Sequence, residues 1–86
     1  MNVESLTLNQ LRVGDWLTVE NVRGEDSMKR RLEDLGVVSG TRICCLMRSP
    51  LGDPCAYRIR GAVIALRSKD AQTITGTLCP DREESV

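Results

Sequence analysis

The chain has 86 residues, and its twelve basic and twelve acidic side chains give a formal net charge of zero at pH 7. A chain of this length forms one domain with a modest core, and its apolar runs fall far short of the roughly 20 residues that a membrane-spanning helix needs. Histidine is absent, which excludes Cys–His and Ser–His catalysis, and together with the lack of any C-x-x-C spacing it excludes the usual structural zinc site. The single Trp and single Tyr leave little aromatic surface for stacking on nucleic acid. The composition therefore predicts a protein that is not an enzyme, does not bind nucleic acid and is not embedded in a membrane.

The sequence opens without a basic stretch followed by an apolar one, so no signal peptide is predicted and we expect a cytoplasmic location. Charge is unevenly distributed along the chain. Residues 42–69 carry six basic side chains against one acidic side chain, Asp53. This segment is either an electrostatic footprint for an acidic partner or a set of outward-facing arginines on strands.

The first half of the chain is predicted to form a strand and then a helix. Residues 4–11 fit either a helical turn or an extended arm. "WLTVENV" then alternates with the two-residue period of a strand, which places Leu17 and Val19 inward. "GEDSMKRRLEDLG" is the clearest helix, with Asp26 or Ser27 as its N-cap. The apolar stripe of this helix has the spacing i, i+4 and i+7 and consists of Met28, Leu32 and Leu35.

The end of this helix carries the residues of a Schellman motif. Gly36 stands where a left-handed C′ residue belongs, and Val37 follows at the C″ position. Val37 is therefore expected to contact Leu32, the apolar contact that accompanies this motif.

The second half of the chain is predicted to consist of short strands. In "TRICCLMR" the alternation places Ile43, Cys45 and Met47 on the inner face. The outer face of the same strand then carries Arg42, Cys44, Leu46 and Arg48. "CAYRIR" and "AVIALR" form a hairpin around Gly61, "SKDAQ" makes a single turn capped by Ser68, and "TITGTL" is the closing strand.

The count is about five strands, with one α-helix inserted between strands 1 and 2. Strands this short close most economically into a small β-barrel, because closure removes unpaired edges. The predicted fold is therefore mainly β. Residues 1–78 form the single domain, and residues 79–86, which lack core side chains, form a disordered tail.

The four cysteines are expected to be reduced thiols in the cytoplasm, and no two of them have the C-x-x-C spacing. Cys45 and Cys55 are both predicted to face inward, where they either pack as small hydrophobic side chains or pair across the core. Cys44 is predicted to face outward. There it is either a tolerated surface thiol or a soft ligand that holds a transition metal together with a neighbouring carboxylate.

The stretch "RRLEDLGVVSGTRICCLMRSPLGDPCAYRIRGAVIALR" resembles the FeoA family of ferrous-iron transport accessory proteins. The shared features are an Arg-rich helix ending in Leu-Gly, a Gly-Thr turn, and a Pro-Leu-Gly-Asp-Pro connector between strands. The resemblance covers about residues 5–77 and implies an SH3-like β-barrel. It also implies a non-enzymatic role beside FeoB, a membrane transporter that imports ferrous iron and carries a GTP-binding domain. The same domain resembles the C-terminal module of iron-dependent repressors, but the chain starts directly before the barrel, which favours a stand-alone protein.

The connector raises a specific question, since a turn that only reverses the chain does not need Leu51. Leu51 either covers an open end of the barrel, against Met47 or Val38, or leads a contact surface for a partner. Pro50 and Pro54 stiffen the connector. Asp53 is expected to hold the turn through its own backbone.

These observations predict a cytosolic accessory protein of ferrous-iron uptake that binds the GTPase part of the FeoB transporter and requires no cofactor. The predicted partner-binding residues are Lys29, Arg30, Glu33, Pro50, Leu51, Gly52 and Asp53. The alternative is a metal sensor or chaperone in which Cys44 contributes to a weakly bound Fe²⁺ or Zn²⁺. Apolar residues expected on the outer face (Cys44, Ala56 and Val63) favour self-association into a homo-oligomer.

Overall fold

A computed structural model describes residues 5–79 of the chain, and residues 80–86 of the predicted tail lie outside these described residues. Six strands and two helices follow one another in the order β1 (Ser5–Thr7), β2 (Trp16–Val22), α1 (Asp26–Asp34), β3 (Arg42–Arg48), β4 (Cys55–Ile59), β5 (Ala62–Leu66), α2 (Ser68–Ala71) and β6 (Ile74–Cys79). Between β1 and β2 the chain makes a 3-10 turn over Leu8–Gln10. Within the described range no helix has the length and apolar character to span a membrane.

All six strands belong to one antiparallel sheet with the order β1-β6-β2-β3-β4-β5. The predicted class, mainly β with one inserted helix, is confirmed. The strand count differs by one, because residues 4–11 form both of the expected structures: β1 pairs with β6, and the helical turn follows it. The strand pairings run in an open series from β1 to β5, so hydrogen bonds between these two end strands do not close the sheet.

One hydrophobic core holds the fold together. Side chains of β2, β3, β4, β5 and β6 contribute to it, as do Leu8, Leu11, Leu32 and Ala71 from the 3-10 turn and the two helices. Since strands from both halves of the sheet share this core, the sheet curls around it. The predicted inward residues of β2, Leu17 and Val19, are both fully buried.

Helix α1 ends as predicted but begins differently. The Gly36 N–H donates to the Glu33 carbonyl and the Val37 N–H to the Leu32 carbonyl, both at 2.9 Å, and Gly36 has a φ of 102°. These are the two hydrogen bonds of a Schellman motif. The predicted N-cap is wrong, because Asp26 is already the first helical residue and Glu25 takes the cap position without a side-chain cap bond.

Strand β3 departs from the predicted alternation at its centre. The register with β4 shifts between Cys45 and Met47, so Leu46 forms a bulge that has no direct partner. A bulge adds one residue and thereby reverses the facing of the residues that follow it. Met47 was predicted to face inward, and this prediction is wrong: 61% of its surface is exposed.

Candidate partner-binding site

The connector between β3 and β4 projects into solvent. Leu51 is 92% exposed, and Pro50, Gly52 and Asp53 are exposed as well. The interpretation that Leu51 covers an end of the barrel is therefore wrong. Leu51 has the largest exposed fraction of the large apolar side chains in residues 5–79, which is the property expected of a contact residue.

Hydrogen bonds hold this connector in a defined shape. The Gly52 N–H donates to the Ser49 carbonyl at 2.8 Å and closes a tight turn around Pro50 and Leu51. Asp53 was predicted to hold its own turn, but it does not bond that turn. Its Oδ1 instead accepts the Ser68 N–H at 2.7 Å. Asp53 thereby caps the first turn of α2. Ser68 itself was predicted to be this cap, but Arg67 takes the cap position.

The predicted partner-binding residues of α1 are exposed, but they are not hydrogen-bonded to the connector within residues 5–79. Lys29, Arg30 and Glu33 of α1 are all exposed, whereas Leu32 of the same helix is buried. No hydrogen bond joins the connector to α1 anywhere in residues 5–79, and the connector is tied to α2 instead. The structure thus exposes both groups of predicted residues, and no hydrogen bond of the described residues joins them.

A cleft that was not predicted from the sequence runs between α1 and β5. Its volume is about 350 Å³. Its apolar lining is formed by Met28, Leu32 and Leu35 of α1 together with Ile64, Ala65 and Leu66 of β5. Arg31, Arg67 and Asp70 provide its polar lining. In the sequence, only Leu35 pointed to this cleft, because it belongs to the apolar stripe of α1. In the structure the Leu35 side chain remains 39% exposed.

Arg48 belongs to the basic segment 42–69, and the structure gives it an internal role. Its Nη2 donates to the backbone carbonyl of Leu11 at 2.7 Å and to that of Asn9 at 3.0 Å. The guanidinium therefore anchors the end of the 3-10 turn to β3. It follows that the positive charge of residues 42–69 is not all available to a partner.

Replacing Arg48 with alanine should lower the free energy of unfolding by about 1 kcal/mol, because two charge-assisted hydrogen bonds to backbone carbonyls are lost at a partly solvated site. Arg42→Ala is the matched control, since Arg42 lies exposed on the same strand. Urea denaturation followed by circular dichroism measures both changes. Equal stability of the two variants would show that Arg48 does not anchor the turn.

Cys44 was predicted to face outward and to be exposed. The predicted face is correct, but the predicted exposure is wrong. Cys44 does lie on the face opposite Ile43 and Cys45, where it pairs with Trp16 of β2 and Arg58 of β4. Directly opposed side chains on one sheet face lie in contact range, and these two large neighbours leave Cys44 only 7% exposed. In residues 5–79 no group of three or more His, Cys, Asp or Glu side chains is placed to hold a metal ion.

Cys45, Cys55 and Tyr57 form a buried cluster on the inner face of β3 and β4. Burial raises the pKa of the Cys45 thiol, and the nearby Cys55 adds to this effect. Burial likewise raises the pKa of the Tyr57 phenol, with smaller contributions from Cys55 and Cys45. Both cysteines are free thiols and pack as core side chains.

The outer face expected to favour self-association is only partly apolar and exposed. Val63 is 62% exposed and Ala56 is half-buried, whereas Cys44 is covered. Arg58 stands between Cys44 and Val63 in the same cross-strand row. A charged side chain therefore interrupts the apolar surface on which this prediction rested.

An antiparallel sheet curled around one core, with a helix inserted between β2 and β3 and an exposed apolar connector, is an architecture of the SH3-like class. Comparison with known proteins makes the assignment specific. The model of the FeoA domain family matches residues 6–77, and the chain belongs to this family.

Three similar proteins illustrate this relationship. A Porphyromonas gingivalis (strain ATCC BAA-308 / W83) protein, described as an Fe(2+) transport protein A/Fe(2+) transporter FeoB fusion protein, is 33% identical over 69 residues. These residues are 80% of this chain but only 8% of the fusion protein, so the chain spans a small part of that relative. The solution structure of FeoA from Chlorobium tepidum has a TM-score of 0.79 at 33% identity and covers 94% of this chain and 78% of that one.

The third is the crystal structure of Stenotrophomonas maltophilia FeoA in complex with zinc, which has a TM-score of 0.72 at 29% identity. The match covers 80% of this chain and 86% of that chain. That protein is described as a prokaryotic SH3 domain protein and a candidate activating factor of bacterial ferrous iron transport.

Proposed function

We propose that this chain is a cytosolic, non-enzymatic accessory protein of ferrous-iron uptake that binds the GTPase part of a FeoB-type transporter. The observation that carries the proposal is the fusion relative, in which a segment similar to this chain is covalently joined to a FeoB transporter. In a fusion protein the linker keeps the two parts together, so each part is present at a high effective concentration for the other without having to associate from solution. A separate chain of the same family needs a binding surface to achieve what the fusion achieves by its linker.

The exposed connector supplies such a surface. Burial of the Leu51 side chain against a partner contributes about 2 kcal/mol. The turn around Pro50 and Gly52 is already ordered by hydrogen bonds, including the one between Asp53 and Ser68, so little conformational entropy is lost on binding. Lys29, Arg30 and Glu33 on α1 form a second, charged contact that acts mainly on the association rate.

The test is a calorimetric titration of the chain into the isolated cytosolic GTPase domain of the transporter from the same organism, with chelator present, in GDP and in a non-hydrolysable GTP analogue. Micromolar binding is expected. Leu51→Asp should weaken it at least tenfold, because an exposed leucine is replaced by a charge that a contact would have to desolvate. The melting temperature should stay nearly unchanged, since Leu51 is 92% exposed.

Val13→Asp is the matched control, because Val13 is also an exposed apolar side chain, at 58%, and lies outside the connector. It should bind like the unchanged protein. If Leu51→Asp and Val13→Asp bind equally well, the connector is not the contact. Absence of heat with the unchanged chain in both nucleotide states would contradict binding to the GTPase domain.

A metal sensor or chaperone is the second candidate function, and it is favoured by the zinc in the Stenotrophomonas maltophilia structure. The described residues do not fit it well, since Cys44 is covered and no ligand cluster occurs in residues 5–79. The titration separates the two functions. An accessory protein binds the GTPase domain with chelator present, whereas a sensor binds Fe²⁺ or Zn²⁺ by itself and loses that metal to the chelator.

A further inference from the structure

Strand β5 is an edge strand with free backbone groups. Among the strands of residues 5–79 it pairs with β4 alone. The two are joined by the two-residue turn Arg60–Gly61, whose φ angles are 51° and 85°. In such a hairpin the residues next to the turn, Ile59 and Ala62, exchange hydrogen bonds, and the bonding alternates from there. The N–H and C=O groups of Val63 and Ala65 therefore point away from β4.

These four groups remain available. No hydrogen bond within residues 5–79 uses the backbone of Val63 or Ala65 outside the β4–β5 pair. Both residues are exposed. Exposed edges of this kind are templates for the addition of another strand.

The cleft described above lies beside this edge. Ile64 and Ala65 contribute one wall and α1 the other, with Met28 and Leu35 as partly exposed apolar surfaces. A second hollow adjoins it and shares Met28 and Asp70, which extends the cleft along α1 towards Gly24. An extended peptide between an edge strand and a helix gains main-chain hydrogen bonds from the strand and pockets for alternate side chains.

Charge selects among extended peptides. Arg31 and Arg67 line the cleft against a single acidic residue, Asp70. The adjoining hollow adds one basic and one acidic side chain, Lys69 and Glu25, so the positive excess remains. The β4–β5 hairpin adds the exposed Arg58 and Arg60. An added strand thus meets a positive surface, which favours acidic side chains on it. A second copy of β5 has no acidic residue and brings the same arginines, so like charges oppose pairing between two copies.

We propose that the cleft between α1 and β5 binds an extended segment of the protein partner in which apolar and acidic residues alternate. The segment adds to β5 as a further strand and bonds the N–H and C=O groups of Val63 and Ala65. Its apolar side chains, two residues apart, enter the cleft against Ile64, Met28 and Leu35. The identity of the partner rests on the proposed function, which makes the transporter the source of this segment. The site itself does not depend on that function.

The experiment uses the full ¹⁵N-labelled chain and two capped octapeptides, one alternating Glu and Val and the other alternating Lys and Val. The acidic peptide should shift the amide signals of Val63 and Ala65 and slow their hydrogen exchange at least tenfold. The lysine peptide should bind at least tenfold more weakly. Equal binding of both peptides, or binding of the acidic peptide that leaves these two amides unchanged, would overturn the proposal.

Ala65→Pro removes one of the free N–H groups at an edge position where proline is tolerated, and it should abolish protection of Val63 by the acidic peptide. Ala65→Ser keeps the N–H and is the matched control. If Ala65→Pro does not fold, the doubly substituted Arg31→Glu, Arg67→Glu chain tests the charge selection, with Arg42→Glu as its control. Protection of Val63 and Ala65 that depends on protein concentration without peptide would assign the edge to a second copy and overturn the proposal.

The same variants separate this site from the proposed function. If the GTPase domain binds the unchanged chain and Ala65→Pro equally well, the proposed function stands and the cleft proposal fails. If the GTPase domain does not bind, while the acidic peptide protects Val63 and Ala65, the cleft proposal stands and the proposed partner is wrong.

Discussion

Gly76→Ala is expected to destabilise the fold by about 3 kcal/mol, at the upper end of the range for overpacked cores. Gly76 lies in β6, which is flanked by β1 and β2, and it pairs with Leu6 on one side and Val19 on the other. A Cβ at this position would lie 2.1 Å from the Thr18 carbonyl oxygen and 2.9 Å from its carbon. These are backbone atoms, so relief requires that β2 and β6 separate. For a domain of this size the melting temperature should fall by roughly 10–20 °C, which calorimetry measures directly.

Gly40→Ala is the control that isolates this steric cause. Gly40 has a φ of 94° but no atom within 4 Å of the position that a Cβ would take. Only the backbone conformation opposes alanine there, at a cost of about 1–2 kcal/mol. We therefore expect alanine to lower the free energy of unfolding more at Gly76 than at Gly40, although Gly76 does not have a positive φ. A smaller loss at Gly76 than at Gly40 would mean that the two strands separate easily.

The features that could be predicted from the sequence are those set by neighbouring residues. The stop of α1 is an example, because Gly36 and Val37 form both hydrogen bonds of the Schellman motif within one turn of chain. Strand β4 is another, since the alternation of Cys55, Tyr57 and Ile59 persists without interruption and all three are buried. In both cases the local pattern and the tertiary packing favour the same structure.

Predictions failed where a distant contact decided the outcome. Alternation in β3 is correct up to Cys45 and reverses at Met47, because the bulge depends on the register with β4. Cys44 was assigned to the correct face, but its burial depends on Trp16 and Arg58 on the neighbouring strands. No local pattern in "RICCLMR" contains either piece of information.

The candidate site divides in the same way. That the connector is unusual could be predicted because its composition departs from that of a simple turn, although the sequence left open whether Leu51 is covered or exposed, and the structure exposes it. The cleft could not, because it depends on which strand lies at the edge of the sheet and on α1 packing beside β5. Asp53 illustrates the second case, since it was expected to hold its own turn but accepts the N–H of Ser68, which lies fifteen residues away.

Tyr57→Ala is expected to lower the free energy of unfolding by about 3–5 kcal/mol, the usual cost of removing a fully buried aromatic side chain. Tyr57 is the largest fully buried side chain described, at 1% exposure, and it pairs with Cys45 on β3 and Ile64 on β5. The chain has no phenylalanine and only one tryptophan, which is not fully buried, so no other aromatic side chain can fill the space. Urea denaturation should show this loss, and a value below about 1 kcal/mol would mean that the core collapses into the cavity.

Tyr57→Phe separates the ring from the hydroxyl group. It keeps the apolar volume of the ring and should cost no more than about 1 kcal/mol, the net value of one hydrogen bond. The hydroxyl also makes stability depend on pH. Because the pKa of Tyr57 is raised in the folded state, the phenol ionises first in the unfolded chain. The unchanged protein should therefore lose stability as the pH rises above 10.0, the ordinary pKa of tyrosine. Tyr57→Phe removes this contribution, while that of Cys45 is common to both proteins, so the stability difference between the two should shrink or reverse as the pH rises.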